Sequence, residues 1–173
     1  MLRTLLFLLL FAGSAWCQDT SIARFKLSDE FDQRLTAYQI SLKDEIYPEL
    51  KQGWNLLGKA TANIPPATAT ANAKSARLLF ADLKGKLEVN RKQLTTMNPR
   101  LADEKTIWAA YDLHFQAMIR EVEAVLRYCD YIIAKGNSKS PEMIRLSDAV
   151  LLAFRQRITS WQAVDELRQQ DRS

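Results

Sequence analysis

The sequence predicts an all-α protein, an up-down-up-down antiparallel four-helix bundle with long helices, preceded by a secretory signal peptide. Three observations lead to this fold class. An apolar leader opens the chain, four amphipathic stretches at helical spacing follow it without a strand-like alternation of comparable length, and short connections separate the last three stretches. We therefore expect residues 1–17 to be the signal peptide and residues 18–173 to form a single four-helix-bundle domain.

The leader has the order of features found in secretory signal peptides. Arg3 supplies the charge, an apolar run rich in Leu and Phe follows, and small residues occupy positions 12–15. The apolar run is too short to cross a bilayer as a stable helix, which takes roughly 20 residues. We expect an extracytoplasmic protein, periplasmic or secreted, with no stable membrane insertion once the leader has been removed.

The fate of Cys17 depends on where the leader is cut. Trp16 stands where lipoprotein processing needs a small residue, which disfavours lipidation of Cys17. Signal peptidase needs small residues one and three positions before the cut, so cleavage can follow Ala15 or Cys17, and we favour the second site. Cleavage after Ala15 would retain Cys17, which could then pair with Cys129 in an oxidising compartment.

The first amphipathic stretch opens at Ser28, which is followed by two acidic residues, as a helix N-terminus prefers. Pro48 lies inside this stretch and is predicted to kink the helix, because proline lacks a backbone donor and clashes with the preceding turn. Residues 58–73, rich in Ala and Thr and interrupted by two prolines, are predicted to be the main linker. The apolar positions of the first helix are Leu27, Phe31, Leu35, Tyr38, Leu42, Ile46, Leu50, Trp54 and Leu57.

The second helix has an apolar seam that contains one polar residue, Asn90. A buried polar side chain in such a seam needs a partner and typically fixes register or oligomeric state, so Asn90 is predicted to be a residue of structural specificity. Asn98 and Pro99 are predicted to be the cap and the first residue of the third helix. The seam positions alternate steps of four and three: Ala76, Phe80, Leu83, Leu87, Asn90, Leu94 and Met97.

The third and fourth helices have clear ends. Lys135 and Gly136 are predicted to end the third, and Ser140 and Pro141 to begin the fourth as cap and first residue. Cys129 falls on the third seam and is expected to be a small buried apolar residue. The third seam is Trp108, Tyr111, Phe115, Met118, Val122, Val125, Cys129 and Ile132, and the predicted inner face of the fourth is Met143, Leu146, Val150, Phe154, Ile158, Trp161 and Val164.

Helices of about 30 residues are roughly 45 Å long. Short connections between long helices favour antiparallel neighbours, and heptad-like seams favour shallow crossing angles, which together indicate the bundle. An extended helical hairpin that closes only as a dimer is the alternative arrangement.

Composition and motifs exclude several classes of function. The formal net charge is +4 and falls to about +3 with the loss of Arg3, which is too mild to indicate a nucleic-acid partner. The chain lacks a Glu-x-x-His pair and a set of His and Cys residues sufficient for zinc, so we predict no metal site. His114 and Cys129 are about 22 Å apart along one helix, so no nucleophile and base assemble, and we predict no enzymatic activity and no catalytic residue.

A haem-like cofactor is the chemistry that a bundle of this kind most readily suggests. His114 is the only histidine, Met118 its nearest methionine, and these two are the weak candidates for ligands, with Met97 and Met143 as further partners. His114 flanks the third seam, so we expect a boundary residue with its polar edge near water, and we predict no cofactor. Three tryptophans could line a ligand pocket but are expected to be core residues: Trp54, Trp108 and Trp161.

Arg77, Lys84 and Arg91 repeat every seven residues beside the seam of the second helix and form a basic stripe. One explanation is ion pairing with acids of neighbouring helices, such as Asp112 or Glu121. The other is a docking surface for an acidic partner. The three basic residues are therefore weak candidates for partner binding.

These observations lead to one preferred function and one alternative. We expect an exported, non-enzymatic helical bundle, of the adaptor or scaffold type, that binds another macromolecule through its helix faces. The partner would be an unidentified protein or a second copy of the chain in a homodimer. The alternative is a bundle that holds a small ligand or a haem-like cofactor in its core.

Overall fold

The structure is a computed structural model that describes residues 26–62, 64–137 and 140–172. Four helices pack against one another in these ranges. The predicted signal peptide, its cleavage sites and Cys17 lie outside the described residues. Helix α1 consists of Asp29–Ser41, a π-helical turn Leu42–Ile46 and Tyr47–Ala60; α2 is Pro66–Thr95, α3 is Ala102–Lys135 and α4 is Pro141–Arg172.

Pro48 is accommodated in α1 by the π-helical turn that ends at Ile46, two residues earlier. Proline cannot donate a hydrogen bond to the carbonyl four residues before it, here that of Asp44, and its ring crowds the same carbonyl. A wider turn relieves this crowding and is one of the known causes of helix distortion. The backbone stays in the right-handed helical region at Leu42 and Tyr47, so α1 continues through the proline.

The predicted linker is largely helical. Residues 61–65 connect α1 to α2, and α2 begins at Pro66, a position where proline loses no helical hydrogen bond. The alanines of the predicted linker form the first turns of the buried face, since Ala69 and Ala73 are completely buried, as is Ala76 of the predicted seam. The prediction was wrong because alanine, the best helix former, was read here as a linker residue together with threonine.

Helix α3 begins at Ala102 and not at the predicted Pro99, and the carboxylate of Glu104 organises its start. That carboxylate accepts hydrogen bonds from the backbone N–H groups of Arg100 and Leu101 and from the N–H and hydroxyl of Ser28. Burial alone would raise the pKa of Glu104, but these hydrogen bonds lower it to about 2. Glu104 therefore ties the start of α1 to the start of α3 as a carboxylate.

The predicted end of α3 and the predicted start of α4 are confirmed. Gly136 has φ of 79°, the left-handed region that favours glycine, and its N–H donates to the carbonyl of Ile132. The hydroxyl of Ser140 accepts a hydrogen bond from the N–H of Met143, so Ser140 caps α4 ahead of Pro141.

The core differs from the predicted one mainly on α4. Cys129 is completely buried, as expected, and Met118 is also a core residue. On α4, Phe154, Ile158 and Trp161 are only half-buried. The buried positions of α4 are Met143, Leu146, Val150, Ala153, Arg157, Val164 and Arg168.

Helices α1 and α2 approach closely at Gly53. A Cβ atom built on Gly53 would lie 2.7 Å from Cζ of Phe80 and 3.0 Å from Cδ2 of Leu79, closer than side-chain atoms normally come. The ring of Trp54 meets that of Phe80 edge to face at the same level, with 6.5 Å between the ring centroids. Absence of a side chain at Gly53 is therefore a condition of the α1–α2 contact.

We expect Gly53→Ala to destabilise the fold by about 1–2 kcal/mol, because overpacking of the contact with Phe80 outweighs the gain in helix propensity. Gly58→Ala, in the same helix, is the matched control, since a Cβ there meets nothing within 4 Å. The control should stabilise the fold by about 0.5–1 kcal/mol through helix propensity. Urea denaturation measures both changes, and equal shifts for the two variants would contradict the close approach.

Candidate functional site

His114 is the centre of a buried polar chain that joins α1, α3 and α4. Its exposed fraction is 0%, its Nε2 lies 3.1 Å from the hydroxyl of Tyr47, and its Nδ1 lies 2.9 Å from Oγ of Ser160. The Ser160 hydroxyl donates its one proton to the carbonyl of Arg157, at 2.8 Å. Nδ1 is therefore the donor to Ser160, and Nε2 accepts from Tyr47, which fixes the tautomer of the neutral ring.

The surroundings of His114 keep it uncharged. Burial, and secondarily the positive charge of Arg157, lower the pKa of His114 to about 3. The ring of Trp161 packs at 5.1 Å from the imidazole, centroid to centroid. The expected boundary position near water is wrong, because α3 buries the stripe that contains His114 in addition to the predicted seam.

The two candidate cofactor ligands do not form an axial pair. Met118 is buried one turn after His114 on the same helix, so both side chains leave the helix on one side. An axial ligand must also offer a ring nitrogen, and both nitrogens of His114 are engaged by Tyr47 and Ser160. Ligation of an iron would require one of these hydrogen bonds to break.

A buried ion pair between Glu121 of α3 and Arg157 of α4 lies near His114. Arg157 donates from Nε to Oε2 of Glu121 at 2.5 Å, and Nε1 of Trp54 donates to Oε1 of the same carboxylate at 2.9 Å. Burial raises the pKa of Glu121, and the hydrogen bonds from Arg157 and Trp54 oppose that rise. The guanidinium of Arg157 also lies over the ring of Phe154, 5.1 Å from its centroid.

This pair was not predicted from the sequence. Glu121 was assigned to the surface as a partner for the basic stripe, yet its exposed fraction is 0%, and Arg157 was not singled out. The buried face of α4 follows a series in which steps of three and four residues alternate from Met143. Arg157 falls on this series, so a strict alternation would have predicted its burial. That series is Met143, Leu146, Val150, Ala153, Arg157, Ser160 and Val164.

The three tryptophans, expected to be core residues, are each half-buried and pack against the core. Trp54 and Trp161 flank the buried network, the first through Glu121 and the second against His114 and Tyr47. Trp108 lies apart and donates from Nε1 to the carbonyl of Leu94. The indoles thus act as hydrogen-bond donors and packing groups of the core.

Each member of the basic stripe pairs with an acid of α3. Arg77 contacts Asp130 at 2.5 Å, Lys84 contacts Glu123 at 2.8 Å, and Arg91 contacts Asp112 at 2.7 Å. Of the two acids proposed from sequence, Asp112 is confirmed and Glu121 is not. Such part-exposed pairs typically contribute less than about 1 kcal/mol each. A docking role for this stripe stays a prediction.

Asn90 lies at the edge of a groove and not within the core. It is half-buried, and its Nδ2 donates to the carbonyl of Lys86 in its own helix. Its Oδ1 lies 3.5 Å from Oγ of Ser41, the long limit for a hydrogen bond, and the Ser41 hydroxyl is closer to Glu45, at 3.2 Å. The link from α1 to α2 through Asn90 is therefore weak.

The groove beside Asn90 has a volume of about 750 Å³ and separates the first half of α1 from the second half of α2. Val89, with an exposed fraction of 57%, projects into it. Apolar and polar residues line the groove together. The apolar lining residues, with the glycine, are Ala37, Tyr38, Gly85, Val89 and Met97; the polar ones are Arg34, Ser41, Glu45, Asp82, Lys86, Asn90, Gln93 and Thr96.

We expect Arg157→Met to destabilise the fold by about 3–5 kcal/mol, because Glu121 would remain buried without its counter-ion. In a Glu121→Gln background the same change should cost less than half as much, since no buried charge is left and Gln still accepts from Trp54. A double-mutant cycle in urea measures the coupling. Equal costs in both backgrounds would contradict the buried pair.

Neutral His114 should make stability depend on pH. The unfolded chain, in which a histidine has a pKa of about 6.5, binds one proton more than the folded protein between pH 6.5 and about 3. Stability is therefore lost as the pH falls through this window. Between pH 7 and pH 5 the wild type should lose about 2 kcal/mol more than His114→Gln, measured by urea denaturation.

Glu104→Gln is the control for the histidine titration. The folded-state pKa of Glu104 is about 2, so its contribution is present above the unfolded value near 4.5 and is lost only below it. This variant should retain the wild-type pH dependence between pH 7 and pH 5. Parallel profiles of the wild type and His114→Gln in that range would refute the neutral buried histidine.

Three findings bear on metals, membranes and relatives. Within residues 26–62, 64–137 and 140–172, no group of three or more His, Cys, Asp or Glu side chains could hold a metal ion. In the same ranges, no helix combines the length and the apolar character needed to cross a membrane. Comparisons with family models, with curated proteins and with solved structures find no match to this chain.

Proposed function

We propose that this protein is a non-enzymatic, exported helical bundle that binds another macromolecule through its helix faces, with the groove between α1 and α2 as the binding face. The groove is the observation that carries the proposal. Val89 is exposed and Tyr38 is half-buried, and both line a concave surface together with polar groups. Exposed apolar side chains in a concave surface with polar neighbours are a feature of interaction sites.

The buried network supports a surface function over a cofactor in the core. His114 and Glu121 are already hydrogen-bonded within the bundle, and their partners are themselves structural residues. A ligand in the core would have to displace these partners, and unpaired buried polar groups are costly. The groove can be filled without disturbing any of them.

The proposal includes the up-down-up-down order of the helices. Its support is the register of the contacts, in which residues late in one helix meet residues early in its neighbour. The supporting pairs are Ser41 with Asn90, Trp54 with Phe80, Arg77 with Asp130, Arg91 with Asp112, His114 with Ser160, Tyr131 with Ser140, and Asp32 with Arg168. Export is supported by the order of features in the leader.

A photo-crosslinking residue in place of Val89 tests the binding face in the cells that produce the protein. We expect adducts of defined mass, because a partner in the groove would contact this position. Leu78, with an exposed fraction of 70%, lies on α2 outside the groove and is the matched control position, expected to give no such adducts. Absence of adducts at position 89, or equal adducts at both positions, would overturn the proposal.

A further inference from the structure

Resting on the proposed function, we propose that the partner segment in the α1–α2 groove is an amphipathic helix whose first two turns carry basic residues, and that these turns lie against Glu45 and Asp82. The groove has the length for such a helix. Its lining on α2 runs from Asp82 to Gln93, about 17 Å at the helical rise, which corresponds to about three turns, and continues at Thr96 and Met97 beyond the end of α2.

The walls of the groove favour a helix over an extended peptide. Both walls are helices, whose backbone groups are already hydrogen-bonded along their own axes, so they offer no sheet edge to a strand. A docked helix satisfies its own backbone. It would need only side-chain contacts, with apolar positions one turn apart placed against Tyr38, Val89 and Met97.

Small residues on both walls allow a helix of the partner to approach closely. Gly85 lies on the α2 wall, where a Cβ atom would meet nothing within 4 Å, and Ala37 lies on the α1 wall. The same two helices touch at Gly53, which lies outside the groove. At Ala37 and Gly85 the walls therefore present no large side chain to a docked helix.

Charge is unevenly distributed along the groove. At the end next to the π-helical turn, Lys86 is held by Glu49 and Asp82, at 2.5 and 2.9 Å, and Glu45 adds a third carboxylate, whose Oε2 accepts from the Ser41 hydroxyl at 3.2 Å. This end thus has three carboxylates around one ammonium group that pairs with two of them. At the other end, Arg34 is paired with Glu30 in its own helix.

The uneven charge determines the direction in which the partner helix lies along the groove. An excess of negative charge attracts basic side chains and also the positive end of a helix dipole, which is the N-terminus. Both effects place the first turns of the partner beside Glu45 and Asp82. The formal net charge of the whole protein is +4, so a general electrostatic attraction would favour an acidic peptide instead.

Three synthetic 15-residue helical peptides with the same apolar face test this inference by fluorescence anisotropy. The first has three lysines in its first two turns, the second has three glutamates there, and the third has the lysines in its last two turns. We expect the first to bind about tenfold more tightly than either of the others at low salt, as two exposed ion pairs allow. Glu45→Lys should remove most of that preference.

Gly85→Trp, which fills the groove, should weaken binding of the first peptide at least tenfold, whereas the matched control Gly85→Ala should bind it as the wild type does. Equal binding of the three peptides, lost in Gly85→Trp, would overturn the basic helix and leave the proposed function standing. If Gly85→Trp binds the first peptide as tightly as the wild type does, both the basic helix and the proposed function are overturned. If Gly85→Trp fails to fold by circular dichroism, the response of Glu45→Lys decides, since that exposed change leaves the packing intact.

Discussion

The buried carboxylate of Glu121 is the constraint on which the bundle depends. A charge without solvent must be paired, and here Arg157 of α4 and Trp54 of α1 meet it on α3. These contacts fix three helices at one level. The charge of Arg157 also contributes to keeping His114 neutral, and that neutral ring joins the same three helices through Tyr47 and Ser160. The Glu121–Arg157 pair thus joins three helices at one level, and Arg157 adds to the burial that keeps His114 neutral.

Sequence periodicity could predict the helices because their apolar residues recur at regular steps, but it could not assign the polar core. Two neighbouring stripes of α3 are buried, and the predicted one contains Phe115 and Val122 whereas the other contains His114 and Glu121. The second stripe has the same spacing as the first. The second stripe was not predicted to be buried because His and Glu usually face water. The cost of burying them is offset only by their hydrogen-bond partners, which lie on other helices.

Helix starts and ends could be predicted where they depend on residues close in sequence, and could not be predicted where they depend on tertiary contacts. The cap at Ser140 and the left-handed Gly136 involve residues within one turn, so their types suffice. The start of α3 depends on Glu104, which also binds Ser28, 76 residues earlier. The groove has no sequence signal at all, because Ala37 and Gly85 form a gap only when α1 and α2 are paired.

The same pairing explains why a surface function is compatible with a rigid core. Gly53 allows α1 and α2 to touch at one level, and on the other side of the π-helical turn the contact of Ser41 with Asn90 is weak. In the part of the chain that the structure describes, Lys86 pairs with both Glu49 and Asp82, and Glu45 contacts the Ser41 hydroxyl. A basic group on a partner would complete this set of charges. The groove therefore differs from the basic stripe, whose Arg and Lys residues find their acids on α3 and leave little charge for a partner to neutralise.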